Sequence, residues 1–387
     1  MRLLVLEPYY GGSHQAVLDG LLARLDVEAD VLTLPARKWK WRMRGSAITM
    51  ARETRRLFDE WETTAPASDM DALPRRWDLI YASTFVNLAE FYGMAGEAVA
   101  GVPSVVYFHE NQLVYPNRHE AEWDYQFPLT NITSALSADT CLFNSEWTMQ
   151  TFLDEIPGFL RKFPDHHPKG VTEAIERKSS VLAPPFDPAP FDEAIGEEGV
   201  TVTPRGERVR IVWPHRWEHD KDPDAFFAAV FALASEGLDF EVAVAGQAFR
   251  DVPESITSAS ESLGDRLVHV GAPSTREEYA TLLAGSDIAV STARNEFFGL
   301  AMVEAAYSGC YPLVPDRLAY PEIYPAEFRY DTTDALVARL RSLVLDRPAP
   351  GQGRTVAEEF TFDRLTPSYE RILVGVAESA HVGRRET

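Results

Sequence analysis

Along the first 183 residues, short runs of almost continuous apolar character alternate with segments whose apolar positions recur every three or four residues. The runs at 3–6, 29–34, 78–82, 104–108, 140–144 and 180–183 predict strands, and the segments at 15–25, 47–60, 86–92, 129–137 and 147–153 predict the helices between them. A strand that is apolar at every position is buried on both faces. A series of such strands separated by helices therefore implies a parallel sheet covered on both sides, with ligands at the carboxyl ends of its strands.

The alternation stops at "PPFDPAPFDEAIGEEGVTVTPRGE", residues 184–207, where Pro, Gly and acidic residues dominate, and 185–207 reads as a linker. It resumes with strands at 209–214, 241–245, 267–270, 288–291 and 311–314 and helices near 223–235, 276–284, 300–308 and 335–345. The fold class is α/β: two doubly wound Rossmann-like parallel-sheet domains, 1–184 and 208–361, facing a central cleft. Residues 362–387 supply a last helix crossing back to the first domain and a tail. A length of 387 residues agrees with two cores rather than one.

Composition changes this picture in one respect. The two cysteines, Cys141 and Cys310, sit far apart in apolar runs and read as buried free thiols. With no signal-like start and no apolar run of about 18 residues, the expectation is a cytoplasmic protein with no membrane partner. The formal net charge of −22 argues against general binding of nucleic acid or anionic membrane, although a salt-rich cytoplasm would screen such repulsion. Against that background "LPARKWKWRMRG", residues 34–45, is an anomaly: Arg37, Lys38, Lys40, Arg42 and Arg44 are interleaved with Trp39 and Trp41. Cations for phosphates and indoles for splayed bases make a candidate RNA surface. The competing expectation is a strand that buries Trp39, Trp41 and Met43 on alternate positions.

Four segments carry candidate chemistry. In "ARNEFFGLAMVEAAYSGCYPLVPD", residues 293–316, Glu296 lies in a loop after a strand, Gly299 permits close backbone approach, and a helix starting at Leu300 carries Glu304. Its leading N–H groups suit a pyrophosphate, Glu304 a ribose diol and Glu296 a sugar hydroxyl, unless Glu304 only stabilises the first turn of its own helix. In "IVWPHRWEHDKDPDAFF", residues 211–227, Arg216 and Lys221 could neutralise a diphosphate, or could pair with Glu218, Asp220 and Asp222. "EPYYGGSHQ", residues 7–15, sets Gly11 and Gly12 in a turn before a helix capped by Ser13, with His14 beside it. "VVYFHENQLVYP", residues 105–116, ends a strand on His109, Glu110 and Asn111, where His109 could orient a hydroxyl or serve structure alone. The Asp69-Met70-Asp71 pattern resembles a metal-binding motif but has no flanking strand.

Together these segments resemble GT-B fold, retaining glycosyltransferases of the GT4 type, whose E-x7-E motif is matched by Glu296 and Glu304. "EPYYGGSH", "LPARKWKWRMRGSA", "YFHENQLVYP", "WPHRWEHDKDP" and "NEFFGLAMVEAAYSGCYPLVPDRLAYPEIYP" resemble more closely the tRNA-queuosine α-mannosyltransferase family, over about residues 1–375 and least across 155–207. The resemblance implies GDP-mannose as donor and the cyclopentenediol of queuosine in the anticodon of tRNA-Asp as acceptor. It implies that Glu304 binds ribose, Glu296 mannose, Arg216 and Lys221 the diphosphate, and His109 the reacting region. Gly11, Gly12, Phe298, Gly299 and Leu300 then line the donor, and His14, Glu110, Asn111 and the basic segment serve the acceptor. No metal or other cofactor is implied. Two alternatives stay open: a GT4-type enzyme acting on a small-molecule or lipid acceptor, and a nucleotide-sugar or RNA-binding module without turnover.

Overall fold

The structure, a computed structural model, describes residues 1–64, 75–115, 124–196, 204–246 and 254–382. The Asp69-Met70-Asp71 pattern lies outside the described residues. By its contacts the chain divides into two compact units, Met1–Pro184 with Leu365–Thr387, and Pro185–Arg364.

Unit 1 holds six parallel strands, β1 (Arg2–Tyr10), β2 (Glu28–Pro35), β3 (Leu79–Ser83), β4 (Ser104–Phe108), β5 (Thr140–Phe143) and β6 (Ser179–Val181), in the order β2-β1-β3-β4-β5-β6. β3 and β4 are buried at every position, as their uninterrupted apolar runs require, whereas edge strand β2 alternates between half-buried and exposed. Because β2 and β3 flank β1 on opposite sides, the chain reverses its direction of travel there. The crevice at the carboxyl ends of β1 and β3 is this sheet's switch point, where α/β sheets receive ligands.

The helix expected from residue 47 instead runs Trp39–Glu62. Met43, Ala47, Met50, Ala51, Thr54 and Phe58 form its buried stripe, a helical period that begins inside the basic segment and overrides the strand-like alternation of tryptophans and cations. The C-terminal helix Phe362–Val382 contributes Tyr369, whose hydroxyl donates to the Ala183 carbonyl (3.0 Å) and whose ring lies 6.2 Å from that of Tyr107.

Unit 2 repeats the plan with β7 (Val209–Trp213), β8 (Phe240–Ala245), β9 (Leu267–Gly271), β10 (Ile288–Val290), β11 (Tyr311–Pro315) and β12 (Arg329–Tyr330), in the order β12-β11-β10-β7-β8-β9. Its switch point lies between β7 and β10. The helix Glu254–Leu263 and the two-residue β12 are elements the apolar pattern does not predict. Residues 185–196, expected to be linker, belong to this unit: Phe191 on the helix Ala189–Ile195 is fully buried, and Asp192 accepts from the Tyr307 hydroxyl (2.9 Å) and Arg354 Nη2 (2.9 Å). One aromatic anchor and one carboxylate suffice to dock a helix too short to show a period.

At the amino end of β10 the fully buried Asp287 takes Arg347 Nη2 (2.8 Å) and the Arg210 N–H (2.8 Å) on one oxygen, and Arg347 Nε (2.9 Å) and Arg205 Nη1 (3.3 Å) on the other. Both cysteines are free and buried, and burial pushes each thiol up to about 12.

Candidate active site

In unit 2 the loops that leave β7 and β10 are joined into one body. After β7, Arg216 is exposed, the 3-10 turn His219–Lys221 follows, and Asp222, held at φ 50°, caps the helix Pro223–Ser235 by accepting from the Ala225 N–H (3.4 Å). The other Asp222 oxygen receives Arg294 Nε (2.7 Å). Further ties run from the Arg294 N–H to the Asp220 carbonyl (2.8 Å), from the Thr292 hydroxyl to the Lys221 carbonyl (2.8 Å), and from Trp213 Nε1 to the Thr292 hydroxyl (3.1 Å). Lys221 is only 6% exposed, and its Nζ reaches the Asn295 carbonyl (2.6 Å), Glu296 Oε2 (3.1 Å) and Asp220 Oδ2 (3.2 Å). The expectation that Lys221 pairs with a loop carboxylate thus holds for Asp220, and the same ammonium is shared with Glu296 from the loop after β10.

Gly299 begins the helix Leu300–Tyr307 at φ 95°, a left-handed conformation in which a Cβ would also come within 3.0 Å of the Tyr320 ring. Its carbonyl accepts from the Met302 (2.9 Å) and Val303 (3.2 Å) N–H groups, leaving Leu300 and Ala301 as the amides that head the helix. Glu304 lies in the second turn, so it does not serve the first-turn amides. Its buried carboxylate is instead gripped by both terminal nitrogens of Arg276, whose guanidinium lies over the rings of Phe191 (4.7 Å) and Tyr279 (5.4 Å). Burial, reinforced by Glu304, pushes the Tyr279 hydroxyl well above its ordinary value. The side chain of Phe298 packs edge-on against Phe360 (5.1 Å), so anything it offers a ligand comes from its backbone. His215 is enclosed beside Lys221, and burial followed by the Lys221 charge lowers it to about 3.

In unit 1 the switch point collects a second set. Glu7, at 4% exposure, interrupts an apolar strand; its Oε1 accepts from the Tyr9 N–H (2.9 Å) and the Ser83 hydroxyl (3.0 Å), and its Oε2 faces His14 Nδ1 (3.2 Å). The His14 and His109 rings overlap with centroids 3.9 Å apart, tilted by 33°. Burial, followed by the neighbouring His14, holds His109 well below the ordinary histidine value. The ligand-type atoms of Glu7, His14 and His109 converge within 4.8 Å, but both Glu7 oxygens are taken up by hydrogen bonds, so the group reads as a satisfied chain of polar contacts. Gly11 is required by close packing, since a Cβ there would meet that of Ala36 at 2.6 Å, and Gly12 takes φ 56°. Ser13 lies inside the helix Gly12–Leu22 and makes no cap, contrary to the expectation. Glu110 is half-buried and accepts from Gln112 Nε2. Asn111 does not fit the substrate role expected of it: it is fully buried, with Oδ1 accepting from the Leu113 N–H (2.9 Å) and Nδ2 reaching Thr151 (3.4 Å), so its side chain shapes the turn.

The basic segment opens the helix Trp39–Glu62, and the structure sorts its residues. Trp39 packs on Phe127 (5.0 Å) and Tyr115 (6.0 Å) and joins the cluster of Met43, Phe85, Phe127 and Tyr9. Tyr9 and Phe85, stacked at 4.7 Å, also flank His14, so the helix start and the imidazole pair share one aromatic block. Arg44 pairs with Asp124 and lies over Phe127, and Arg42 donates to the Pro35 carbonyl (3.2 Å). Trp41, expected to be buried if the segment were a strand, is 70% exposed, beside exposed Arg37 and Lys38 and half-buried Lys40. No carboxylate stands in the first turn, so these cations sit against the positive end of the helix dipole.

The missed residues are Glu7, Ser83 and Arg276. A carboxylate ending the apolar run "LLVLE" was a visible anomaly, whereas nothing in the sequence ties Arg276 to Glu304.

Comparison with known proteins decides the family. The model of the tRNA-queuosine alpha-mannosyltransferase N-terminal domain matches residues 2–186, and that of glycosyl transferases group 1 matches residues 201–354. A tRNA-queuosine alpha-mannosyltransferase of Drosophila melanogaster is 38% identical over 380 residues, 95% of each chain. The chain belongs to the tRNA-queuosine alpha-mannosyltransferase family. This family member is a glycosyltransferase, which closes the alternative of a module without turnover. A GDP-mannose-dependent alpha-(1-6)-phosphatidylinositol dimannoside mannosyltransferase of Mycobacterium tuberculosis is 27% identical over 181 residues, 46% of each chain. Among solved structures, sucrose-phosphate synthase from Thermosynechococcus elongatus (13% identity, TM-score 0.67) and Anabaena HepE in complex with UDP (14%, TM-score 0.63) each align over 98% of this chain and 100% of their own. At that identity they speak for the fold alone, which is GT-B with two Rossmann-like domains. Among the described residues, no helix is long and apolar enough to cross a membrane.

Proposed function

We propose that this enzyme moves mannose from GDP-mannose to a hydroxyl of the queuosine cyclopentenediol in the anticodon of tRNA-Asp, in the cytoplasm, with retention at the anomeric carbon. The observation that carries the donor half is the joining of Lys221, Glu296 and the Gly299-led helix at the β7/β10 switch point. Lys221 and exposed Arg216 take the diphosphate together with the Leu300 and Ala301 amides. Glu304, oriented by Arg276, accepts the ribose hydroxyls. Glu296, paired with Lys221, accepts sugar hydroxyls. His109 orients the reacting region, with Gly11 and Gly12 keeping its approach open.

In the reaction the bond from the mannose anomeric carbon to the diphosphate oxygen breaks. The acceptor hydroxyl oxygen bonds to the same face of that carbon, and its proton passes to the departing phosphate. The charge that develops on GDP meets the Arg216 guanidinium, the Leu300 and Ala301 amides and the adjacent Lys221 charge. No metal ion or other cofactor is assigned a part.

The acceptor half is supported by the family and by the cationic helix start. The tRNA-facing set is Arg37, Lys38, Lys40 and Trp41, of which Lys40 also lies over the Trp39 ring (5.7 Å), whereas Arg42, Arg44 and Trp39 are engaged with Pro35, Asp124 and Phe127. Exposed cations at a helix N-terminus suit backbone phosphates, and Trp41 can stack on a splayed base.

The test is to incubate the enzyme with GDP-mannose and tRNA that contains or lacks queuosine, then weigh the nucleosides. A hexose gained only on queuosine supports the proposal. GDP-mannose hydrolysis with no such gain points to a small-molecule or lipid acceptor. Replacing Arg37, Lys38 and Lys40 by alanine should weaken tRNA use, lowering the dependence of log affinity on log salt by about one for each phosphate no longer neutralised, and leave donor hydrolysis unchanged.

A further inference from the structure

The reaction leaves unexplained why a carboxylate interrupts the buried run of β1. A neutral side chain would satisfy the Tyr9 N–H and the Ser83 hydroxyl, the contacts on Glu7 Oε1. The second oxygen faces His14 Nδ1 at 3.2 Å, and His14 lies with its ring overlapping that of His109 at 3.9 Å. Three elements, β1, the helix Gly12–Leu22 and the end of β4, thus bring carboxylate, imidazole and imidazole into line at the unit 1 switch point.

We infer that Glu7 and His14 are positioning residues for His109, with Glu7 fixing the His14 ring and His14 in turn fixing the orientation and neutral state of the His109 imidazole. With its Nδ1–H donated to the Glu7 carboxylate, His14 keeps one tautomer and one rotamer. Burial, followed by the adjoining His14 ring, disfavours a proton on His109. His109 then stays neutral, with a lone pair available to a hydroxyl of the sugar or the acceptor.

The other groups around His109 do not oppose this. Tyr107 of β4 lies 4.6 Å away, with Tyr81 of β3 and Tyr369 of the C-terminal helix beyond it, and burial pushes all three phenols up, so they carry no charge at neutral pH. Glu110, next along the chain, engages Gln112. The inference rests on the reading of His109 as the group at the reacting region.

Sugar transfer to queuosine-containing tRNA is measured against pH for Glu7→Gln, His14→Gln and His109→Asn, with thermal melting of each. The His109 ring is titrated by NMR in wild type and His14→Gln. Glu7→Gln and His14→Gln are expected to lower kcat at least about 10-fold, the direction expected when a working histidine loses the group that orients it. The KM for GDP-mannose should stay within about twofold, because the donor residues of unit 2 are untouched. In His14→Gln, with the neighbouring imidazole gone, the His109 titration and the acid limb of kcat move to higher pH. Lower melting temperatures with wild-type kcat and an unmoved pH profile would mean that Glu7 and His14 only hold the turn, and would overturn the inference. If Glu7→Gln does not fold, the kcat and the titration of His14→Gln decide together, and wild-type kcat there overturns the inference. Wild-type turnover in His109→Asn sinks the underlying reading instead, whereas an inactive His109→Asn beside unaffected partners removes only the inference.

Discussion

Two buried carboxylates stand at opposite ends of the same part of the unit 2 sheet and are held in different ways. Asp287, at the amino end of β10, is fully buried and receives four donors from Arg205, Arg210 and Arg347. Glu304, on the helix that follows β10, is gripped by the single guanidinium of Arg276, itself 40% exposed. Glu296 likewise has one cationic partner, Lys221. The difference teaches what each end of the sheet is for. At the amino end every lone pair is used by the fold, so Asp287 can do nothing else. At the carboxyl end Glu304 and Glu296 each have one cationic partner and coordination is left incomplete, the condition in which a carboxylate can still accept a hydroxyl.

The comparison can be broken, most forcefully at Asp287. Asp287→Ala should cost about 3–5 kcal/mol in urea unfolding, because it leaves Arg205 and Arg347 without their buried counter-charge. Activity per folded molecule should persist; a variant as stable as wild type would show the ion cluster to be idle. Next in size, Glu304→Gln should lower transfer ~100-fold or more, with a smaller loss of stability than Asp287→Ala because Arg276 stays 40% exposed to water. Lys221→Ala should lose activity and stability together, since Glu296 and Asp220 are left without a counter-ion. Adding Glu296→Gln to it should then restore part of the stability and none of the activity, and restored turnover would remove Lys221 from the site. The smallest effect at neutral pH comes from His215, whose value falls from 6.5 to about 3 on folding. Its contribution is full above pH 6.5 and is lost as pH drops toward 3, because the unfolded chain takes up a proton that the folded one refuses. A His215→Gln variant should show a shallower loss of stability over that interval, and an unchanged slope would assign the acid sensitivity elsewhere.

Whereas the two-residue edge strand β12 left no unbroken apolar run, the central strands of both sheets were legible because burial on two faces writes itself as such runs, as in Leu79–Ser83 and Ser104–Phe108. The switch points were not, since strand order depends on crossovers that leave no local trace. Glu296, Glu304, Arg216 and Lys221 stood out as residue types in strand-end loops, but the pairing of Lys221 with Asp220 and Glu296, and of Glu304 with Arg276, emerges only once the chain is folded. Residues 34–45 were misleading for a physical reason: tryptophans and cations at alternate positions imitate a strand, while the helical signal of Trp39, Met43, Ala47 and Met50 emerges only when the window extends beyond the charges. The helix Ala189–Ile195 was hidden by its Pro-rich, acidic setting and is secured by Phe191 and Asp192, contacts that no periodicity reports.

The cations at the head of the helix Trp39–Glu62 have one more consequence. A helix that starts with Lys38 in the left-handed region, without a capping side chain and with no acidic residue in its first turn, is an unfinished end. On the proposed reading, an RNA phosphate supplies the cap that the sequence omits, a helix terminator borrowed from another molecule. Docking the acceptor then completes the fold at that point, and through Trp39, Phe85 and Tyr9 the completed end bears on the ring of His14. Amide exchange at residues 38–42 would register the substrate's arrival before any sugar has moved.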